Sequence, residues 1–364
     1  MTDESETTAP IWVDSPEALQ SHIAKIDGAV GIDTEFVRER TFWPKLALVQ
    51  IATGDDILLV DCKVPGVSAA LAPLLSNHAI LKIMHSPGED FVAFLHGCGV
   101  APYPVFDTQL AAALAGLGHG MGYARLMQTL FDIEIDKGET RSDWMRRPLS
   151  AAQLKYAVED VRYLHEAHRV LAEKLHTLDR TAWMEQESEA YFLAQSVDEP
   201  ERWAHLGARA GQRLDRDGQT RLLRLMRWRE VRARARDLPK NWVLPVEAAV
   251  ELAESNARSE SDVTHILLRH PRAPKNLAAP MLAAMHQPLE DEAQMPLLMD
   301  DRDRDKARIR AWQNRVSEIA AELGVEDGVI ASRKVIQAYL DEGEWPESVT
   351  AWRKARLDAG APPK

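Results

Sequence analysis

The chain has 364 residues, 45% hydrophobic and 27% charged, with a formal net charge of −12. It is long enough for two or three domains that each bury a core, and its apolar runs fall far short of the ~20 residues a membrane span needs. The polar, acidic stretch from Met1 to Pro10 lacks the apolar segment of a secretory signal, and Cys62 and Cys98 stand in no metal-like spacing, which excludes a Cys-based zinc site and fits a reducing cytoplasm.

Up to about residue 200, short apolar runs alternate with helical patterns. Val30–Asp33, Ala47–Ala52, Ile57–Asp61 and Ile80–His85 are predicted strands. The first three follow one another through short turns such as Gly54-Asp55-Asp56, which predicts an antiparallel meander. Helical periodicity marks Ser68–Leu75, Gly88–His96, Thr108–Ala115, Gly122–Leu130 and Ser150–Lys174, the last with Ser150 as N-cap after Pro148. This pattern predicts an α/β domain, a mixed sheet flanked by helices. Beyond residue 196 the strand signals stop. Residues 196–212 are a polar connection, and 213–290 carry three or four helical patterns broken by Pro239, Pro245, Pro271, Pro274 and Pro280. A charge-alternating hinge, Met299–Asp305, leads to a further helical stretch at 306–358.

The acidic net charge hides an asymmetry. Residues 209–240 hold eleven Arg or Lys against four Asp or Glu, a local charge of +7 that leaves −19 on the rest. A basic island of this kind reads either as a phosphate-binding face or as an Arg-rich helix paired internally with acids. Seven arginines, Arg221, Arg224, Arg227, Arg229, Arg232, Arg234 and Arg236, cannot share one face at 100° per residue. Trp228, among Leu222, Leu225 and Val231, reads as core rather than as a base-stacking platform.

The chemistry begins at Asp33-Thr34-Glu35, where the first strand ends. Alternate residues of a strand share a face, so Asp33 and Glu35 point the same way with Cα atoms about 6–7 Å apart. Such a pair is a solvated strand end or half of a metal site, because close carboxylates repel unless a cation or proton intervenes. Asp90 falls in the first turn of its predicted helix, as a capping charge or as a ligand. Tyr156 and Asp160 stand one turn apart on one helix face. Hard divalent ions require carboxylate oxygens and water. Two of them can activate a water and neutralise a phosphodiester in hydrolysis.

These residues resemble the motifs of the DEDD exonucleases of the ribonuclease H-like superfamily, in the branch with a tyrosine in the third motif. Asp33-Thr34-Glu35-Phe36 is similar to the first motif. His85-Ser-Pro-Gly-Glu-Asp90-Phe, with Phe106-Asp107-Thr108-Gln109 nearby, is similar to the second, and Tyr156-Ala-Val-Glu-Asp160 to the third. Thr41-Phe-Trp-Pro-Lys-Leu-Ala-Leu-Val-Gln50 and Thr140 to Ser150 resemble the ribonuclease D family in particular. The resemblance implies that Asp33, Glu35, Asp90 and Asp160 hold two divalent ions, Mg²⁺ or Mn²⁺. It implies that Tyr156 positions the attacking water. Glu89 and Glu159 are rivals to Asp90 and Asp160, but a helical neighbour points about 100° away, and the motif register favours the aspartates.

The segment 213–290 resembles an HRDC domain through Leu225 to Glu230, Ala233 to Asn241, and Leu252-Ala253, although the usual proline near Asn256–Ser259 is missing. Residues 306–358 resemble a more divergent module of the same kind. The organisation implied is an exonuclease domain at 1–205, an HRDC domain at 213–295 and a second HRDC-like domain at 300–364. The activity implied is a 3′→5′ exoribonuclease releasing 5′-monophosphates, maturing the 3′ ends of tRNA precursors and other structured RNA as a cytoplasmic monomer. A DNA exonuclease of the same fold and a non-catalytic RNA-binding scaffold are the alternatives; the complete motif set speaks against the second.

Overall fold

The structure, a computed structural model, describes residues 9–54, 56–136, 138–196, 199–299 and 305–362. Most of the Met299–Asp305 hinge, Asp55 of the Gly54-Asp55-Asp56 turn and the first eight residues lie outside these. The chain forms two compact units. One lies within Met1–Val37, Pro44–Val197 and Lys306–Lys364, the other within Arg38–Trp43 and Asp198–Asp305. No described helix is long and apolar enough to cross a membrane.

The first unit is built on six strands, β1 (Ile11–Val13), β2 (Val30–Val37), β3 (Lys45–Ala52), β4 (Ile57–Asp61), β5 (Lys82–Met84) and β6 (Val105–Asp107). Their order is β1-β4-β3-β2-β5-β6. The β2–β3–β4 meander is antiparallel, as expected, while β1–β4, β2–β5 and β5–β6 are parallel, which makes the sheet mixed. The strands β1 and β6 were not legible as strands, since three residues are too few to show a period of two. The periodicity over Ser150–Lys174 is in fact two helices, Ala151–Arg162 and Leu164–Thr177, which share Tyr163 as cap.

One face of the sheet presents Leu48 and Leu59, covered by Trp144, Leu149, Ala157 and Val158. The other presents Ile32, Val49, Ile51 and Val60, which pack with Phe91, Ala93 and Phe94 of the Gly88–Cys98 helix. The Ala151–Arg162 helix starts in a capping box, with Ser150 and Gln153 satisfying each other's backbone N–H. Arg147 fastens the preceding segment by pairing with both carboxylate oxygens of Asp61 (2.6 and 2.9 Å) and donating to Ala47 O. A Cβ at Gly31 would sit 3.1 Å from Leu164 Cβ, so the absent side chain lets the next helix close onto β2.

The segment expected as a second HRDC-like domain shares its core with this unit. Trp312, Val316, Ile330, Ile336 and Trp352 belong to the same apolar cluster as Leu114, Leu126, Leu164 and Leu171. Arg180 donates to the carbonyls of Leu114 and Leu323, a cation joining two helix C-termini. Gly116 (φ +76°) brings the backbones together, because a Cβ there would lie 2.4 Å from Gly324 O.

In the second unit the Arg216–Arg236 helix packs with Val246–Ser255, Glu260–Leu268 and Ala278–His286 around Leu222, Leu225, Leu252, Val263 and Met281. Most of its basic island is consumed internally. Arg224 pairs with Glu292, Arg227 with Asp291 and Arg234 with Glu230, while Arg221 donates to Ala253 O. Arg229 is buried against Lys240 O and Asn241 Oδ1. Internal pairing, not an open phosphate-binding face, is what the geometry shows for these five. Trp228 is partly buried and packs against the core, while Val231 is exposed. Phe42 and Trp43 also belong to this unit. Their backbone N–H groups donate to Asp237 Oδ1 at 3.0 Å each, and the Arg234 guanidinium lies over both rings.

Candidate active site

β2 runs past its neighbour. Among the described residues β5 pairs with β2 only at Val30 and Gly31, so the stretch from Asp33 to Glu35 has no β5 partner. Opposite Asp33 and Glu35 on β3 stand Gln50 and Leu48. Cross-strand partners share a face, and Leu48 belongs to the cluster under the Ala151–Arg162 helix. That helix therefore covers the face on which Asp33 and Glu35 lie, and it carries Asp160.

The three acids meet. Asp33, Glu35 and Asp160 each bring a carboxylate oxygen within 4.8 Å of the others. Like charges at that spacing resist ionisation, and burial removes the water that would stabilise them. Burial first, then Asp160, Asp90 and the other strand acid, hold Asp33 far above the ordinary carboxylate range. Burial, followed by Asp160 and Asp90, pushes Glu35 to about 9. Asp160 is raised to about 7, chiefly by burial, while the nearby Tyr156 hydroxyl pulls it down.

Asp90 stands beside this group but outside the 4.8 Å cluster. It occupies the first turn of Gly88–Cys98, and its Oδ1 accepts a hydrogen bond from the Thr34 hydroxyl. Burial lifts it to about 6, while that bond and one from its own backbone N–H oppose the rise. Of the rivals, Glu159 pairs instead with Lys155 at 3.7 Å, one turn earlier on its own helix.

Tyr156 lies one turn before Asp160, its ring 5.9 Å from Trp144 and its hydroxyl 3.5 Å from Thr140 Oγ1. Burial and the acids Asp160, Glu35 and Asp33 raise its phenol above the ordinary value, so it stays protonated at neutral pH. A second tyrosine escaped sequence reading. Tyr123 donates to Glu159 O at 3.2 Å, and its phenol is raised by burial and by Asp160 and Asp33. Its ring meets His85 edge-on at 5.5 Å. The Thr108 hydroxyl donates to Met84 O and lies 2.9 Å from His85 Nδ1. Burial lowers His85 to about 4 and keeps it neutral. No local motif marks Tyr123, which lies 37 residues from Asp160 in the chain.

Residues 10–176 match a family model described as a 3′-5′ exonuclease. The chain is 43% identical over 355 residues to ribonuclease D of Xanthomonas oryzae pv. oryzae, covering 97% of this chain and 98% of that one. The chain belongs to the ribonuclease D family. Ribonuclease D of a Shewanella species is 34% identical over 332 residues, with 88% and 85% of the two chains covered. The crystal structure of Escherichia coli RNase D, described as an exoribonuclease involved in structured RNA processing, superposes with a TM-score of 0.81 at 25% identity over 96% of each chain. Family membership makes the chain a 3′→5′ exoribonuclease with the α/β exonuclease fold and helical C-terminal region expected from the motifs.

Proposed function

We propose that Asp33, Glu35, Asp90 and Asp160 hold two divalent ions, Mg²⁺ or Mn²⁺, and that Tyr156 orients the water that attacks the 3′-terminal phosphodiester. The observation carrying this is the meeting of three part-buried carboxylates within 4.8 Å, with a phenol one turn from the third. The donors are all oxygen, which suits hard ions rather than zinc or copper. Their raised proton affinities record a cluster of negative charge that a cation would relieve.

Bound there, the ions supply neutralisation of the scissile phosphate and a water acidic enough to attack at neutral pH. The protein's own groups do the rest. The Tyr156 hydroxyl, protonated at neutral pH, offers a hydrogen bond to the water and fixes its approach, and it does not serve as the base. Asp160, one turn further along the same helix, keeps the phenol beside the acidic cluster. The Tyr123 hydroxyl anchors the helix at Glu159, next to Asp160. In the reaction the water oxygen joins phosphorus, the bond to the 3′ oxygen breaks, and that oxygen gains a proton. A nucleoside 5′-monophosphate and an RNA one residue shorter result.

We further infer that the substrates are tRNA precursors and other structured RNAs with single-stranded 3′ tails, and that the chain works as a cytoplasmic monomer. The family relationship and two free cysteines, Cys62 and Cys98, support this reading. The helical bundle of 213–295 is taken as an HRDC domain and 300–364 as a second, divergent module. Incubating the purified chain with a 3′-extended tRNA and with a matched DNA tail tests the proposal. Mn²⁺- or Mg²⁺-dependent release of mononucleotides from RNA, abolished by Asp33→Ala, is the expected result. Equal degradation of DNA overturns the substrate class, release that survives Asp33→Ala overturns the site, and binding without cleavage points to a scaffold.

A further inference from the structure

One contact sets Asp90 apart from the other acids. Asp33, Glu35 and Asp160 gather with an oxygen each inside 4.8 Å, whereas Asp90 Oδ1 accepts from the hydroxyl of Thr34. Strand alternation explains the division. Asp33 and Glu35 project toward the helix carrying Asp160, and Thr34 between them projects to the opposite face, toward the helix carrying Asp90. The residue in the middle of the first motif therefore reaches the acid of the second.

Both partners are buried, with Thr34 7% and Asp90 9% exposed. Threonine is β-branched and stiff at χ1 in a strand, so its hydroxyl is a donor fixed in direction. The helix carrying Asp90 offers its first turn no side-chain cap, since Pro87 holds the N-cap position. A buried carboxylate tethered to β2 through Thr34 cannot swing freely.

We propose that Thr34 is a positioning residue for metal binding: by holding Oδ1 of Asp90 it leaves the other oxygen as the ligand that sets the affinity of the second divalent ion. The inference rests on the two-ion reading of the site. A hydroxyl proton held on one carboxylate oxygen fixes the orientation of the whole group. Valine has the same shape with no proton to give, and serine keeps the proton without the branch.

Mn²⁺ binding to the full chain, followed through the electron paramagnetic resonance signal of the free ion, tests this without reference to turnover. Wild type is expected to bind two Mn²⁺ ions. Thr34→Val keeps the first ion with unchanged affinity and binds the second roughly 10–100-fold more weakly. Thr34→Ser recovers most of that loss, and Asp90→Asn loses the second ion. If Thr34→Val binds both ions as wild type does, or if Thr34→Ser is as weak as Thr34→Val, the positioning role is overturned while the two-ion reading stands. If wild type binds no second ion that Asp90→Asn removes, the two-ion reading falls and takes this one with it. Should Thr34→Val fail to fold, Thr34→Ser against Thr34→Ala makes the same comparison.

Discussion

The indole of Trp352 lies flat on that of Trp183, with ring centroids 4.2 Å apart and planes 4° from parallel. Trp352 is 7% exposed, and its Nε1 donates to Glu187 Oε1 at 2.7 Å. Truncating a buried tryptophan in such a contact costs about 3–5 kcal/mol. Trp352→Ala is expected to lower the urea midpoint and to make residues 306–362 the first cleaved in limited proteolysis. An unchanged midpoint would show that the stack holds nothing.

The raised acids make a pH prediction for the metal-free protein. Glu35 sits near 9 and Asp160 near 7 in the folded state, against ordinary values of 4.5 and 3.8. The folded chain thus retains protons that the unfolded chain has released. Stability from this source is full below about pH 4 and declines as pH rises toward 9. Melting temperatures across pH 5–9 should fall more steeply for wild type than for Glu35→Gln, and saturating Mg²⁺ should remove most of the difference. Parallel slopes for the two proteins would mean that the Glu35 carboxyl is not the source of the pH dependence.

Tyr156→Phe removes one hydroxyl and little volume. Its contact with Thr140 Oγ1 and its reach toward the water are lost, while the three-carboxylate cluster remains. The expected result is a kcat about 10²-fold lower, with Mn²⁺ affinity close to wild type. A variant that loses ion binding instead would make the tyrosine a support for the acids rather than for the water.

The Arg-rich helix should matter for folding more than for RNA. Arg227 grips Asp291 through two hydrogen bonds, and that bonding holds the Asp291 carboxyl far below its ordinary range. A depressed carboxylate contributes stability that is present at neutral pH and lost in acid. Arg224→Met with Arg227→Met is expected to lower the melting temperature and to narrow the gap between neutral and acid stability. The salt dependence of RNA binding, which counts phosphate contacts, should stay as in wild type.

Gln50 makes a different kind of prediction. It is fully buried opposite Asp33, and neither amide atom finds a hydrogen-bond partner among the described residues. A buried unsatisfied polar group costs about 1–3 kcal/mol. Gln50→Leu should therefore raise the urea midpoint. A fall would mean that the amide does have a partner in solution.

The meander and the positions of Asp33, Glu35, Asp90 and Asp160 were legible because strand alternation and helix register are local rules. Four residues of separation put Tyr156 beside Asp160 whatever the rest of the chain does. Other features were not local. Thr34 reads as a spacer between two acids until the Gly88–Cys98 helix is laid across β2. The arginines of 216–236 look surplus in the sequence, and only folding shows Asp291 and Glu292 returning to meet them. The 306–358 stretch has the pattern of an independent bundle because its apolar stripe looks alike whether the partner is its own helices or Leu164 and Leu171.

The placement of Phe42 and Trp43 with Asp237 bears on how the chain can be dissected. Polypeptide passes between the two units after Val37, after Trp43, near residue 197 and near residue 305. No single cut parts them. A fragment ending near residue 200 would keep the acids of the site yet strip Phe42 and Trp43, in the β2–β3 connection that begins three residues after Glu35, of Ala233 and Val243, which they pack with, and of Asp237, which they donate to. Loss of activity in such a fragment would report a frayed strand end as readily as a missing RNA-binding module. A fair dissection keeps residues 199–299 and replaces Phe42 and Trp43 separately.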